Sequence, residues 1–466
     1  MNKETEIVPS SFRDPSGFLF RRDGLLYRQV NNTYKEEYDK LIGSGLYEVL
    51  TKEGLLISHE EVSIESPDPA NAYKIIQPQQ IPFISYPYEW CFSQLKEAAL
   101  TTLKIQKKAF DFGMSLKDAS AYNIQFRGSD PVHIDTLSFG GYREGEPWVA
   151  YRQFCQHFLA PLAIMSYTHV KLNQLLRIHV DGVPLDLASS LLPFRSRFRF
   201  AILTHIHLHA RTQKRFEGES QGTGRFTGAD KKMGRKSFLG LIDSLESGIK
   251  SLSWKPKETV WTSYYGGSSN YSSESLEHKK ELIEKFLDEI NPEEVWDLGA
   301  NVGLFSRICS NKGIRTVSFD LDPACVEGSY LQCRENGEKH LLPLLLDLTN
   351  PSPGIGWENK ERTSLLDRGP TDTALALALV HHLAISNNTP FPKIANLLTE
   401  ICKWLIIEFI PKSDPQAQKL LAGREDIFSD YTQDRFENSF EKQFSIMDSS
   451  QVRDSQRIIY LMKKKQ

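Results

Sequence analysis

Val295-Trp296-Asp297-Leu298-Gly299-Ala300-Asn301-Val302-Gly303 reads as a buried strand that breaks into a glycine-containing turn and then opens a helix. Gly299 lets the backbone turn sharply after the strand, and Gly303 lets the next helix approach the sheet closely. A second apolar strand, Thr316-Val317-Ser318-Phe319, ends at Asp320. A carboxylate there, within reach of the first strand's end, suits the paired hydroxyls of a ribose. The geometry suits a nucleotide-like ligand, and because the stretch lacks the Gly-x-Gly-x-x-Gly spacing of a dinucleotide-binding turn, no pyrophosphate is implied.

Further strands follow in order. Leu344-Leu345-Leu346-Asp347-Leu348 reads as a third strand ending in an acid, and Asp372 to Leu383 is a continuous apolar run that closes on His381 and His382. Unbroken hydrophobicity suits a parallel strand covered on both faces. Trp404 to Phe409 gives a fifth strand, and Phe444 to Met447 with Arg457 to Met462 gives a terminal antiparallel pair.

Taken together, residues 256–466 resemble class I S-adenosylmethionine-dependent methyltransferases, whose first motif is an acidic residue followed by Gly-x-x-x-Gly. The resemblance implies an α/β domain with a Rossmann-like seven-stranded sheet and S-adenosyl-L-methionine as cofactor. It also implies cofactor contacts from Asp297, Gly299, Ala300, Asn301, Gly303, Asp320, Leu321, Asp347 and Leu348. In that family the acid matching Asp347 accepts from the exocyclic amine of the adenine, and the following backbone amide meets the ring. Asp322 either touches the adenosine or caps the helix that Pro323 begins.

Methyl transfer to oxygen needs a proton removed from the acceptor, and an imidazole titrates near neutrality, so His381 and His382 are the candidate catalytic residues. The rival reading is that they pack the strand end. If the strand persists, side chains alternate and only one of the pair, His381, faces the pocket. The aromatic stretch Trp261 to Tyr271 and the insertion Arg424 to Tyr431 stand where a cover over the cofactor and an acceptor lid are expected; packing and a solvated connector are the alternatives.

Residues 1–210 form a second unit. Asp118 and Asn123, then Asp135 after the short strands Ile124-Phe126 and Val132-Ile134, resemble the catalytic and metal loops of the protein kinase and aminoglycoside phosphotransferase fold. The resemblance implies an α+β kinase-like domain, with Asp118 positioning an acceptor hydroxyl and Asn123 and Asp135 holding metal beside the phosphates. Phe92 to Phe112 is the expected long helix before the loop, and Ile81 to Pro87 the expected hinge. Departures are evident: Thr136-Leu137 follows Asp135, Gly43-Ser44-Gly45 is only a fragment of a glycine loop, and Lys74, the candidate phosphate lysine, has no placed glutamate partner. Magnesium with ATP is therefore a cofactor only if this site is active, and weak or absent phosphoryl transfer is expected.

Residues 211–255, rich in Gly, Lys and Arg around Gly222 to Arg225 and Lys231 to Lys236, read as a basic linker. Before it, His205, His207 and His209 alternate, which on a strand places three imidazoles on one face for zinc and on a helix would spread them apart.

The 466 residues carry 40% hydrophobic and 25% charged residues and a net charge of −3, which gives no bias toward nucleic acid. No apolar run is long enough for a bilayer, the first residues lack a signal-peptide core, and the six cysteines, without a Cys-x-x-Cys pair, read as free thiols of a cytoplasmic protein. The expectation is a methyltransferase with a small-molecule or glycan acceptor, as a similarity to bacterial nodulation-related methyltransferases also implies. The alternatives are a bifunctional kinase-methyltransferase and a non-catalytic nucleotide-binding scaffold. Oligomeric state is left open.

Overall fold

The chain enters through three antiparallel strands, β1 (Thr5–Ile7), β2 (Gly17–Arg22) and β3 (Leu25–Asn31). The turn between the last two follows from its residues: Asp23 and Gly24 take φ of 52° and 79°, the left-handed pair that a two-residue hairpin needs. Helices α1 (Lys35–Gly43) and α2 (Leu46–Lys52) then lead to β4 (His59–Glu61) and β5 (Ala72–Pro78), completing a sheet of order β1-β2-β3-β5-β4. Val30 and Ile76 of the sheet bury against Tyr34, Tyr38 and Leu137.

The long helix α3 (Phe92–Asp111) forms where the sequence places it, with Leu95, Ala98, Ala99, Thr102, Leu103, Gln106, Ala109 and Phe110 buried at helical spacing. Two small antiparallel pairs follow: β6 (Met114–Leu116) pairs with β9 (Phe139–Gly141), and between them in the chain β7 (Ile124–Arg127) pairs with β8 (Asp130–His133).

The computed structural model describes residues 5–211, 233–256, 272–422 and 425–465. The chain divides into two compact units, Met1–Lys255 together with Ile355–Arg362, and Pro256–Gly354 together with Thr363–Gln466. This differs from the boundaries read in the sequence. Residues 235–251 of the expected linker are an amphipathic helix, Arg235–Ser251, that buries Phe238, Ile242, Leu245 and Ile249. Phe238 stacks on Phe110 of α3 at 4.7 Å. The remaining basic segment, 212–232, lies outside the described residues, as does 257–271, which carries the aromatic stretch expected over the cofactor.

Unit 2 is built on seven strands: β10 (Glu294–Leu298), β11 (Arg315–Asp320), β12 (Leu341–Leu345), β13 (Thr371–Ala376), β14 (Cys402–Phe409), β15 (Phe444–Gln451) and β16 (Ile458–Lys464). Their order is β12-β11-β10-β13-β14-β16-β15. The first five are parallel, and β16 runs antiparallel to both β14 and β15. Val295, Leu375 and Ile406 bury together with Ile283, Phe286 and Leu287 of helix Ser273–Ile290 and with Phe305 and Cys309 of helix Leu304–Asn311. Strand order reverses on either side of β10, and ligands of such sheets sit beyond the carboxyl ends at that reversal.

Two strands end earlier than the sequence suggests. β13 stops at Ala376 because Ala378 takes φ of 50° and gives its N–H to the Glu408 carboxylate at 2.8 Å, which carries the chain out of the ladder. β12 stops at Leu345, and Asp347 folds into a turn in which its Oδ1 accepts from the Thr349 N–H at 2.8 Å. All six cysteines are buried and none is in a disulfide. No described helix is long and apolar enough to cross a membrane.

Candidate functional site

The turn after β10 depends on backbone that few residues tolerate. Gly299 has φ of 79°, and a Cβ there would lie 3.3 Å from Leu379 Cδ1. Gly303 has φ of 82° at the start of helix Leu304–Asn311, where a Cβ would lie 2.9 Å from both Arg307 Nη1 and Ser329 Oγ. The close neighbour that Gly303 admits is therefore an arginine and a second helix, Pro323–Asn336, rather than the sheet. The N–H groups of Gly299 and Ala300 both reach the Phe319 carbonyl at 2.9 Å, tying the turn to β11.

Asp320 joins the two strand ends. Its Oδ2 accepts from the Asn301 N–H at 2.7 Å and its Oδ1 from the Asp322 N–H at 2.8 Å. Burial pushes its carboxyl up to about 6, against those two hydrogen bonds. Asp297 is buried beneath the turn, with Oδ2 accepting from Ser306 Oγ at 2.6 Å, and burial likewise pushes it up to about 6. Leu321 stands exposed beside Asp320, an apolar surface next to the acid. Asp322 caps helix Pro323–Asn336 by accepting from the Ala324 N–H at 2.8 Å. Asp347 and Leu348 are half-buried past the end of β12.

His381 and His382 are not on a strand. They open a helical turn that continues to Ser386, so alternation across a sheet does not decide which one faces a ligand. Their rings lie 4.2 Å apart. His381 is 1% exposed and neither ring nitrogen has a partner among the described residues. Burial, reinforced by His382, Arg457 and Lys279, holds its pKa well below that of an ordinary imidazole. Burial lowers His382 to about 4. The expectation that either titrates near neutrality is thus corrected: desolvation of the imidazolium keeps both rings neutral.

A buried charge cluster that no motif announces supports this turn. The Lys279 ammonium donates to Glu408 Oε2 at 2.6 Å, and Arg457 donates to both Asp414 oxygens, at 2.7 and 3.1 Å. The sequence signal was a lone acid inside the apolar strand Leu405-Ile406-Ile407-Glu408-Phe409. In the segment read as a lid, residues 423–424 lie outside the described residues; Tyr431 is anchored instead, its hydroxyl donating to the Ile410 carbonyl at 2.8 Å and its ring stacked on Phe409.

In unit 1, Asp118, Asn123 and Asp135 line one cleft of about 650 Å³. Asp118 Oδ1 accepts from the Ser120 N–H at 2.9 Å, and burial raises its carboxyl. Asn123 Nδ2 donates to Ser138 Oγ at 3.1 Å. Asp135 Oδ1 accepts from Arg28 Nη1 at 2.6 Å and from the Leu137 N–H at 3.0 Å, while Oδ2 accepts from the Ser138 hydroxyl. Burial acting to raise the Asp135 carboxyl is outweighed by Arg28 and these bonds, so it sits below its usual range. Lys74 is corrected as the phosphate lysine: it lies on β5 as a half-exposed partner of Glu61, outside the lining of the cleft. The cation beside the acids is Arg28 of β3.

These residues do not fit magnesium. A guanidinium already occupies the Asp135 oxygen that a cation would need, and among the described residues no cluster of three His, Cys, Asp or Glu is placed to hold a metal ion. The three histidines read as a zinc set are helical, and two make separate bonds: His205 with Tyr151 and Ser244, His207 with Ser189 and Ser196. His205 and His209, four apart, share a helix face and both pack on Tyr151, whereas His207 points away from them, so the three do not converge on one ion.

Residues 355–362 also belong to unit 1. Glu361, 2% exposed, accepts from Arg13 Nε at 2.5 Å and Nη2 at 3.0 Å, and the Arg362 guanidinium lies 4.1 Å over the Tyr122 ring.

No protein-family model matches the chain. The nodulation protein NoeA of Rhizobium meliloti (strain 1021) is 33% identical over 460 residues, covering 97% of this chain and 95% of that protein. Among solved structures, WbdD, described in one report as a bifunctional kinase-methyltransferase, is 16% identical over 43% of this chain and 42% of its own, with a TM-score of 0.30. The N-methyltransferase NodS from Bradyrhizobium japonicum WM9 is 9% identical over 42% of this chain and 99% of its own, also at 0.30. Scores of that size carry no argument about shared architecture. The full-length match does, and the chain belongs to the family of the nodulation protein NoeA.

Proposed function

We propose that unit 2 is an S-adenosylmethionine-dependent methyltransferase acting on a small-molecule or glycan acceptor, with unit 1 assisting acceptor recognition. The observation that carries this reading is the coincidence of three features at one place. The parallel strands reverse order around β10, a glycine turn with two positive-φ glycines follows β10, and a carboxylate bridges that turn to the end of β11. Asp320 is suited to ribose hydroxyls because backbone N–H groups fix both of its oxygens and a carboxylate has accepting capacity beyond these bonds. The exposed Leu321 offers an apolar face for adenine, and Asp347 and Leu348 its polar edge.

The bound cofactor would supply an electrophilic methyl group on a sulfonium. The chain's own part is to bind, orient and exclude water. His381 and His382, neutral at ordinary pH, are suited to hydrogen bonding and packing at the site more than to taking a proton, so an acceptor whose nucleophile is already unprotonated is favoured.

A reading in which the protein also transfers phosphate draws on the meeting of Asp118, Asn123 and Asp135 in one cleft, but the Arg28 bridge to Asp135 works against it. Titration calorimetry of the whole chain with S-adenosylmethionine and with its demethylated product tests the central proposal. Binding at micromolar affinity is expected, weakened in Asp320→Ala, and no heat at millimolar ligand would overturn it.

A further inference from the structure

Three nitrogens of side chains that line the unit 1 cleft, Arg28 Nε, His157 Nδ1 and Arg362 Nε, are buried without a partner among the described residues, and Arg28 is the one that stands beside the acids. Arg28 lies on β3 with its side chain only 12% exposed; Nη1 meets Asp135 at 2.6 Å and Nη2 meets Asp14 at 3.2 Å. Its third kind of donor, the Nε–H, is buried and has no acceptor among the described residues, on a side chain that lines the cleft. A buried donor without a partner is costly to the fold, so its place is best explained by an acceptor that arrives from outside.

The surroundings indicate what that acceptor belongs to. Leu19, Leu26 and Ile76 of the five-stranded sheet and Ile134 after β8 give the cleft an apolar lining. Arg21 and Lys117 line it as well, with Arg13 held by Glu361, and the carboxylates of Asp14, Asp118 and Asp181 stand among them. An apolar slot edged by both cations and carboxylates fits a flat heterocycle that carries hydroxyl donors as well as an anionic group, and the volume of about 650 Å³ is ample for a nucleotide. The Asp135 oxygens are taken by Arg28, Leu137 and Ser138, so a dication would have to displace a guanidinium that is already neutralising the carboxylate.

We propose that the cleft of unit 1 is a binding site for a nucleoside phosphate that works without a divalent cation, Arg28 standing beside Asp135 where a metal would otherwise be needed and offering its Nε–H to a phosphate oxygen. The site binds and does not transfer phosphate. It is independent of the methyltransferase reading of unit 2.

The test is calorimetry of the full chain with ADP as probe, in magnesium and in EDTA. ADP binds the unaltered protein with dissociation constants equal within twofold in the two buffers. Arg28→Lys keeps a positive charge but lacks the Nε–H and weakens ADP at least tenfold in EDTA. Arg28→Met frees Asp135, so that magnesium now tightens binding. Should either Arg28 variant lose its cooperative unfolding transition, Leu26→Trp, which fills the slot from a half-buried position and leaves Arg28 in place, abolishes ADP binding in both buffers. The proposal is overturned if the unaltered protein does not bind ADP at millimolar concentration, if it binds only with magnesium, or if Arg28→Lys or Leu26→Trp binds as the unaltered protein does.

Discussion

Lys279 and Glu408 form an ion pair at 2.6 Å with both side chains wholly buried, and the same Glu408 oxygen accepts the N–H of Ala378 at the turn that leads into His381. One carboxylate therefore ties helix Ser273–Ile290 to β14 and to the loop whose Leu379 packs on Gly299. Burial acts to lower the Lys279 pKa and Glu408 to raise it. The pair is better regarded as fixing this turn than as adding stability, since desolvating two charges offsets most of their attraction.

Removing one partner leaves a charge buried and uncompensated. Lys279→Met is expected to destabilise unit 2 by about 3 kcal/mol, softened by Arg457 standing 3.9 Å from Glu408. Lys279→Met with Glu408→Gln should recover part of that loss. Denaturant unfolding of the two single variants and the double variant measures the coupling, and additive effects would contradict a direct interaction.

Asp320 gives a pH dependence. Its carboxyl sits at about 6 in the free protein, raised by burial, and a ribose donating two hydroxyls favours the ionised form. Affinity is then present above pH 6 and lost as pH falls through it. If only the ionised form binds, the dissociation constant of S-adenosylmethionine rises about tenfold between pH 7 and pH 5. Asp320→Asn should bind weakly with a flatter profile; a profile unchanged from the parent would remove Asp320 from the contact.

Gly299→Val places a β-branched residue at φ of 79° and a Cβ 3.3 Å from Leu379. Strain of this kind costs about 1–3 kcal/mol. Weakening of S-adenosylmethionine by tenfold or more is expected in calorimetry. Gly313→Ala, also at positive φ but with open space around it and outside the site, should lower stability and leave affinity within twofold.

Neither His381 nor His382 should gain a proton between pH 5.5 and 8, since burial holds the first well below the ordinary range and the second at about 4. Histidine-selective NMR of the free protein, with His381→Ala and His382→Ala for assignment, follows this directly. A midpoint near 6.5 for either ring would restore the general-base role.

Glu361→Ala frees Arg13 and should raise amide exchange in residues 355–362 while exchange in β10 and β11 stays as it was. Because the Arg13 side chain is 53% exposed, the loss in overall stability should be under about 1 kcal/mol.

The linear order of Asp297, Gly299, Gly303 and Asp320 determined the β10 turn and its neighbour strand, because glycine at positive φ and an acid at a strand end are local requirements that a sequence carries openly. Asp23-Gly24 fixed its hairpin and Phe92 to Asp111 its helix in the same way. The tertiary structure alone decided where β13 ends, since the apolar run continues past Ala376 and only the Glu408 carboxylate draws Ala378 away. It also decided that His381 and His382 are neutral, for desolvation is a property of burial, and two of the cations that reinforce it at His381, Lys279 and Arg457, come from far along the chain. Arg28 and Asp135 stand 107 positions apart, and no spacing rule announces that a strand arginine will close on a loop aspartate. Local conformation is set by neighbouring residues along the chain, whereas charge pairing, burial and the choice of a metal or a guanidinium beside an acid are set by neighbours in space.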